Sequence, residues 1–382
     1  MRRGLIGLIG ALMLAAACGP AAAPAPAPAA AGGARQPAAA PNPAQAPAPV
    51  DAAAYRQQVI DAARAEGEVN VALQSTWTPE GIKQVEEAVQ REYGVQVKIN
   101  YSPVQNYIQR YAELSSELAA DTTPSFDIHQ TSDANALMML DANLLETVNW
   151  AALLPKGTPP EVVKGDSRLL VVLTDHIGLM YDPTVIAESE VPRSLKDLAD
   201  PKWRGKAMLM QYSSAYIPWA VKLGQEPTLQ ALRAAVQNGA ATDIYANEYT
   251  RFAAKEYPMV VLVASYVATA QKRGLNAAFA PLDFSDAGDH FVAVPRRAAH
   301  PNAAKLVAAV LVGPEGQRIA DEYVGYSNRY YEGSADNRIE EAARAAGFGS
   351  FVWWDSPEAH TLALSPEGLE MAKEVERIFQ GG

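Results

Sequence analysis

The chain has 382 residues, with 32 Lys plus Arg against 43 Asp plus Glu and a net charge of −11. That sign argues against a nucleic-acid binder, which needs a basic face for phosphates, and the length allows two or three domains. The single cysteine, Cys18, excludes a disulfide scaffold and any cysteine-rich zinc or iron–sulfur site, while 49% apolar and 20% charged residues suit a globular body with a large core.

Met1-Arg2-Arg3 is a short basic start, and Gly4 to Ala17 is a run of fourteen residues without a charged or polar side chain. About 20 apolar residues are needed to cross a bilayer, so this run is too short to span one. A basic start, an apolar stretch and then small residues describe a secretory signal over residues 1–17. Ala15-Ala16-Ala17 before Cys18 resembles a bacterial lipobox, which implies a lipid anchor on Cys18. The lipobox pattern has Leu three residues before the cysteine, where this chain has Ala15, with Leu14 one place earlier. An ordinary signal peptide with an incidental cysteine is the other reading. Residues 19–50 hold nine of the 27 prolines, and such a segment buries too little to offset its ordering entropy. The expected plan is an anchor and extended tether over 18–50, with the body outside the membrane.

The body reads as strand–helix units. Tyr55 to Glu66 has helical spacing and ends at Gly67, a C-cap signal. Val69, Val71 and Leu73 alternate with polar residues as a strand does. Thr78-Pro79 opens a helix that runs to Tyr93 and stops at Gly94, and Val95 to Ile99 is the next strand. A βαβ unit of this kind predicts a parallel sheet covered by helices. Phe126 to His129 predicts a short strand, followed by Thr131-Ser132-Asp133 and a helix over Ala134 to Leu140. Leu169 to Leu173, Ile177 to Tyr181 and Ala207 to Met210 read as strands; Pro301 to Val312 and Pro366 to Phe379 read as helices.

No G-x-S-x-G elbow, H-E-x-x-H pair, P-loop or G-x-G-x-x-G fingerprint occurs. The five histidines, His129, His176, His290, His300 and His360, lack metal-ligand spacing, so each reads as a turn, cap or surface residue. These absences argue against an enzyme.

Gly178-Leu179-Met180-Tyr181-Asp182-Pro183, Val191-Pro192-Arg193-Ser194-Leu195-Lys196-Asp197-Leu198 and Asp200-Pro201-Lys202-Trp203-Arg204-Gly205-Lys206 follow one another at set intervals. His300-Pro301-Asn302-Ala303-Ala304-Lys305 and Gly313-Pro314-Glu315-Gly316-Gln317 come later. Together with Gly67 to Val71 and Tyr93 to Val97, this order resembles the family 1 extracellular solute-binding proteins of ABC importers, over about residues 55–330. The ferric-ion, phosphonate and thiamine-binding branch is the most similar in pattern.

The resemblance implies an α/β, type II periplasmic-binding-protein fold, with two lobes joined by crossing hinge strands and a ligand cleft between them. By that analogy residues 55–178 and 287–330 form lobe 1 and 179–286 form lobe 2, with the tail, 331–382, unassigned. It implies a small-molecule or ion solute as cargo, an ABC permease in the membrane as partner, no required cofactor, no nucleic acid and a monomer. The expected location is outside the cytoplasm, tethered to the membrane through Cys18. Phe351 and Trp353-Trp354 are expected to pack the tail onto the body.

In open α/β sheets ligands bind beyond the carboxyl ends of strands, near helix N-termini. Three loops fit: Ser75-Thr76-Trp77, Thr131-Ser132-Asp133, and Gln211-Tyr212-Ser213-Ser214. Ala264-Ser265-Tyr266 is a fourth patch, because the resemblance brings its segment back to the cleft. The candidate ligand-binding set is therefore Ser75, Thr76, Trp77, Ser132, Asp133, Tyr212, Ser213, Ser214, Glu248, Tyr249 and Tyr266. Ferric-binding relatives use adjacent tyrosines, and here Ser265-Tyr266 retains one of the two. Tyr212, Tyr216 or Tyr249 could supply a second phenolate if Fe(III) is the cargo. Asp133 and Glu248 could hold an amine such as thiamine or a polyamine, and a surface-charge role for both is the other reading. A membrane-anchored enzyme or a sensor subunit is the rival from another class.

Overall fold

The computed structural model describes residues 51–104 and 106–381. The expected signal segment, Cys18 and the proline-rich tether lie outside the described residues.

The first elements are α1 (Ala52–Glu66), β1 (Glu68–Gln74), α2 (Pro79–Tyr93), β2 (Lys98–Val104), α3 (Tyr107–Ala119), β3 (Ile128–Ser132), α4 (Asp133–Asp141) and α5 (Trp150–Leu153). Next come β4 (Val163–Lys164), β5 (Leu169–Tyr181), β6 (Ala207–Met210), α6 (Ile217–Leu223), α7 (Gln225–Gln237), β7 (Ala241–Asp243), α8 (Tyr245–Ala253), β8 (Met259–Val263), α9 (Ser265–Lys272) and β9 (Ala278–Ala280). The chain ends with β10 (Ser285–Ala293), α10 (Pro301–Val312), α11 (Pro314–Tyr323), α12 (Ala335–Ala345), β11 (Ser350–Val352), α13 (Pro357–Leu364) and α14 (Pro366–Phe379).

Local chemistry sets many of these limits. Thr78 Oγ1 accepts from Gly81 N at 3.1 Å, Pro79 sits in the first turn of α2, and Gly94 closes the helix at φ 66°. Ser365 caps α14 in the same way, accepting from Gly368 N at 3.0 Å. α10 is almost wholly apolar because it is covered on all sides: every residue from Ala303 to Val312 is buried, and its one charged side chain, Lys305, pairs with Glu146 at 2.6 Å.

The strands join into one sheet in the order β2-β1-β3-β10-β5-β8-β6-β7, with β11 added to β10 and β4 and β9 added to β5. Pairing is parallel at the two ends (β1 with β2 and β3; β6 with β7 and β8) and antiparallel where β10 meets β3, β10 meets β5 and β5 meets β8. The sheet is therefore mixed, and the expectation of a parallel sheet holds only at its ends. The physical reason is that β5 and β10 cross from one half to the other in opposite directions.

Two further expectations change. The segments Leu169–Leu173 and Ile177–Tyr181 are one continuous strand, β5, because Thr174, Asp175 and His176 keep the ladder to β10. β2 starts at Lys98 rather than Val95, and Val95 and Val97 enter the core on the way in.

A large core gathers α1, α2, β1, the first half of β5, α10 and α11, including Val69, Leu73, Trp77, Val85, Leu170, Leu306 and Tyr326. A second core gathers the end of β5, β6, α6, α7 and β8, including Leu179, Leu209, Trp219, Leu232 and Val261. The tail joins this second core through Phe351, Trp353, Ala359, Met371, Val375 and Ile378. Trp354 stacks instead on Phe291 of β10, at a centroid distance of 4.5 Å. No helix among the described residues is long and apolar enough to cross a membrane.

Candidate functional site

The carboxyl ends of β1, β3, β6 and β8 meet at the crossing strands, and the helices that follow begin there. From the first half, the phenol of Tyr326 donates to Gln74 Oε1 at the end of β1. Tyr107, the first residue of α3, has its hydroxyl 3.4 Å from the same oxygen and 3.2 Å from His290 Nδ1 on β10. Gln130 Nε2 closes this group at 3.3 Å from Gln74 Oε1. Asn106 holds the start of α3 by accepting from Gln109 N at 3.0 Å, which fixes the place of Tyr107.

From the second half come Tyr212 after β6, Tyr245 at the start of α8, and Tyr266 in the first turn of α9. Their rings form a chain: Tyr212–Tyr245 at 4.8 Å, Tyr245–Tyr266 at 6.3 Å and Tyr266–Tyr249 at 5.4 Å. The two groups face each other. Across the two groups, Tyr212 makes ionisation of the Tyr107 phenol costlier and Tyr266 does the same to the Tyr326 phenol, which places these pairs near one another. Lys272 Nζ on α9 donates to Glu322 O on α11 at 3.0 Å, a direct contact between the halves.

The candidates from the sequence fall into three places. Tyr212 and Tyr266 are in the phenol cluster, half-buried, and Tyr249 and Glu248 lie directly behind it, buried. Thr76 Oγ1 is buried without a partner and faces Tyr326. Ser75 and Ser214 are exposed and Ser213 is half-buried. Trp77 packs into the large core under α2, so its indole is a wall of the fold. Ser132 accepts from Asn135 Nδ2 at 3.1 Å, and Asp133 is buried beside Gly288 of β10, where burial and the charges of Asp289 and Asp286 raise its pKa. Tyr216 is buried and donates to Met210 O at 2.9 Å, which commits its phenol to the second core.

Tyr107, Tyr245, Tyr326, Gln74, His290 and Asp175 belong to the cleft and are absent from the sequence-derived set. Tyr107 and Tyr245 stand at strand-to-helix positions, the same signal that singled out Tyr212, whereas Tyr266 came from the family resemblance. Tyr326 follows α11 and carries no such signal.

Burial governs the electrostatics. It pushes the Tyr266 phenol up to about 12, with Tyr212 and Asp175 adding to the shift, and raises Tyr107, Tyr245 and Tyr326 as well. Burial also pushes the Glu248 carboxyl up to about 9, with Asp243 adding to it, and both Glu248 oxygens lack a hydrogen-bond partner. Asp175 is pushed up to about 7 by burial against the donors Ser265 and His176 N, and His290 is pushed down to about 4 by burial. At neutral pH the cleft thus presents protonated phenols backed by protonated or easily protonated carboxyls. Such a lining donates hydrogen bonds, stacks on rings, and can give up protons to a cation.

The histidines differ from the sequence expectation. His129 and His176 are buried inside strands, while His300 precedes α10 as expected. His176 Nε2 lies 2.5 Å from Asp336 Oδ1 on α12, and its Nδ1 lies 3.2 Å from Ser285 Oγ. Burial works against the imidazolium, but Asp336 outweighs it and the net shift of His176 is upward. Ser285 donates its proton to Glu340 Oε2 at 2.7 Å. This Ser–His–Asp array is sealed from solvent and its hydroxyl proton is committed elsewhere, so it braces β5 and β10 against α12. Among the described residues no group of three or more His, Cys, Asp or Glu side chains could hold a metal ion. The surface hollows beside Gln225, next to α13 and α14, contain none of the cleft residues.

Two α/β halves on one sheet, joined by antiparallel crossing strands and enclosing a polar cleft at strand ends, define a two-lobed solute-binding receptor fold. A family model of bacterial extracellular solute-binding proteins matches residues 83–341. The chain belongs to that family, and its role is solute binding. It is 25% identical over 259 residues to the major ferric iron-binding protein of Neisseria gonorrhoeae, covering 63% of this chain and 74% of that one. Iron-bound HitA from Pseudomonas aeruginosa superposes with a TM-score of 0.58 at 23% identity, covering 82% of this chain and 98% of that one. An ABC transporter substrate-binding protein from Bradyrhizobium japonicum superposes with a TM-score of 0.66 at 13% identity, covering 82% of this chain and all of that one, 100%. At these identities the two structural likenesses show the fold.

Proposed function

We propose that this protein captures one small solute in the phenol-lined cleft, closes its two lobes on it and delivers it unaltered to an ABC-importer permease. The observation that carries this reading is the placement of Tyr107 and Tyr326 on one side and Tyr212, Tyr245 and Tyr266 on the other. A solute touching both groups is held only when the lobes are closed, so its binding energy drives closure. Lobe 1 takes residues 55–178 and 287–330 and lobe 2 takes 179–286, with the tail adding to the second lobe. Residues 1–17 are the export signal, Cys18 carries the lipid, and 19–50 form the tether. A Cys18→Ala variant then leaves the membrane fraction.

A second reading, ferric ion as the cargo, is favoured by one specific feature: five phenols, Tyr107, Tyr326, Tyr212, Tyr245 and Tyr266, line one site, and phenolates are hard oxygen ligands. Tyr266 and Tyr212 are then its first ligands, and Tyr107 and Tyr326 replace the missing member of the adjacent pair. The same lining also suits an aromatic or amine-bearing organic solute.

The experiment is a thermal-shift screen of residues 51–382 with ferric ion plus an anion, phosphonates, thiamine, polyamines, sugars and amino acids. A solute at 100 times its Kd adds about 2.7 kcal/mol of apparent stability. Ferric ion as cargo gives a visible phenolate absorption band that is weakened or shifted in Tyr266→Phe; an unchanged band removes Tyr266 from the site. A substrate turned over by the protein, with no shift from any solute, refutes the receptor reading.

A further inference from the structure

Asp175 is buried in the middle of β5, where the strand passes from one half to the other. Its carboxylate reaches across to α9. Ser265 Oγ donates to Oδ2 at 2.9 Å, Ser265 N lies 3.4 Å from Oδ1, and His176 N donates to Oδ1 at 2.9 Å. Ser265 is the first residue of α9 and is itself buried. No side chain of the preceding residue, Ala264, caps this helix. The free N–H groups at its start therefore lack the usual partner, and Asp175 supplies one from a distant strand.

The next residue along α9 is Tyr266, the half-buried phenol that closes the second side of the cleft. The charge of Asp175 is felt at four phenols: Tyr107 of α3, Tyr245 of α8, Tyr266 of α9 and Tyr326 beyond α11. One carboxylate on the crossing strand thus touches the root of one wall and faces both. α9 also makes contacts to the opposite half, through Lys272 to Glu322 O and through Ala268 beside Gly325. α9 is therefore held at both ends: Lys272 and Ala268 meet the opposite half, while its start is tied to β5 by Ala264 N donating to His176 O at 2.8 Å and, through a side chain, by Asp175.

We propose that Asp175 is a positioning residue that fastens the start of α9 to β5, so that the crossing strand itself sets where Tyr266 stands in the cleft. The proposal rests on the cleft being the cargo site, and deepens that reading. Asp175 need not touch the cargo; it acts through Ser265 and Tyr266. An acid suits this place because its two oxygens accept from the serine hydroxyl and from backbone N–H groups at once, whereas an amide offers only one accepting oxygen.

The test uses Asp175→Asn, Asp175→Ala, Ser265→Ala and the double variant Asp175→Asn with Ser265→Ala in the full chain. Amide hydrogen exchange is read without cargo. Asp175→Ala speeds exchange at the first turn of α9 by ~10-fold or more, while β8 and the remainder of β5 change by less than about 2-fold. Ser265→Ala gives part of the same local effect, and the double variant adds little to Asp175→Asn, as expected for partners in one interaction. Unchanged exchange at α9 overturns the proposal. So does acceleration spread evenly over β5 and β8, which marks a purely structural residue.

A second arm titrates ferric nitrilotriacetate, spermidine and thiamine against each variant. A probe that binds the wild type loses affinity by ~10-fold or more in both Asp175→Ala and Tyr266→Phe, with no further loss on combining them. Additive losses overturn the proposal. If the wild type binds none of the three probes, the cargo reading is what fails for them, and the exchange arm still decides whether Asp175 fastens α9.

Discussion

Glu248→Gln is the substitution whose sign and pH dependence follow most directly from the structure. Glu248 is fully buried on α8, with no partner on either oxygen, and burial pushes its carboxyl from 4.5 to about 9. The folded state therefore holds a proton that the unfolded chain releases once the pH passes 4.5. Unfolding releases a proton between those values, so stability falls as pH rises. The contribution is fully present below the unfolded value and is lost on the way up to the folded one. Each pH unit in that window costs about 1.4 kcal/mol. From pH 5 to pH 8 the upper limit is about 4 kcal/mol, less where water reaches the carboxyl. Gln is neutral at both pH values and has nearly the same shape. Urea unfolding of wild type and Glu248→Gln at pH 5 and pH 8 measures the difference directly. The variant should be close to wild type at pH 5 and more stable at pH 8 by about 2–4 kcal/mol. Equal effects at the two pH values would refute the reasoning, because they would mean that Glu248 is ionised and partnered in the folded protein.

Three further outcomes can be checked. A Cβ at Gly178 would lie 2.6 Å from Ala280 O, a backbone atom of β9 that cannot step aside, so Gly178→Ala should destabilise by about 1–3 kcal/mol in chemical denaturation. Arg329 pairs with the buried Asp289 at 3.2 Å, and Arg329→Met should cost about 3–5 kcal/mol, partly recovered by adding Asp289→Asn; no recovery would show that the charge left behind is not the cause. Cation uptake by the cleft must displace phenol protons whose pKa burial has raised, to about 12 for Tyr266, so affinity for ferric nitrilotriacetate should fall as pH is lowered from 8 to 6. Calorimetry in buffers of different ionisation enthalpy should count protons released, and a pH-independent affinity would exclude phenolate ligation.

Legibility in the sequence follows the range of the interactions. The starts of α2 and α14 are legible because a capping hydroxyl and a first-turn proline act within one turn, and α10 because Pro301 opens it and Gly313 follows it. β6 is legible because four apolar residues in a row have no other use. β5 is not legible as one strand, since Thr174, Asp175 and His176 look like a break between two apolar runs. Their backbone stays in the ladder to β10, and their buried side chains are satisfied by Asp289, Ser265 and Asp336, each far away in sequence. Trp77 shows the converse: it stands beside Ser75 and Thr76 at a strand end, but packing under α2 turns it into the core.

The site divides in the same way. Tyr212 and Tyr266 follow strands that end at the cleft, so local order and the family pattern were enough to point to them. Tyr326 comes from a coil after α11 and reaches Gln74 across 252 positions, a pairing that no local spacing encodes. The sequence by itself determined the acidic charge, the single cysteine, the limits of a few well-capped helices, the opening strand–helix–strand unit and, through its motifs, the family. The tertiary structure alone decided which phenols face one another, which carboxyls lose their water, and that the tail packs into the second core. Those outcomes depend on burial and on contacts between distant segments, and burial is a property of the assembled sheet rather than of any one stretch of chain.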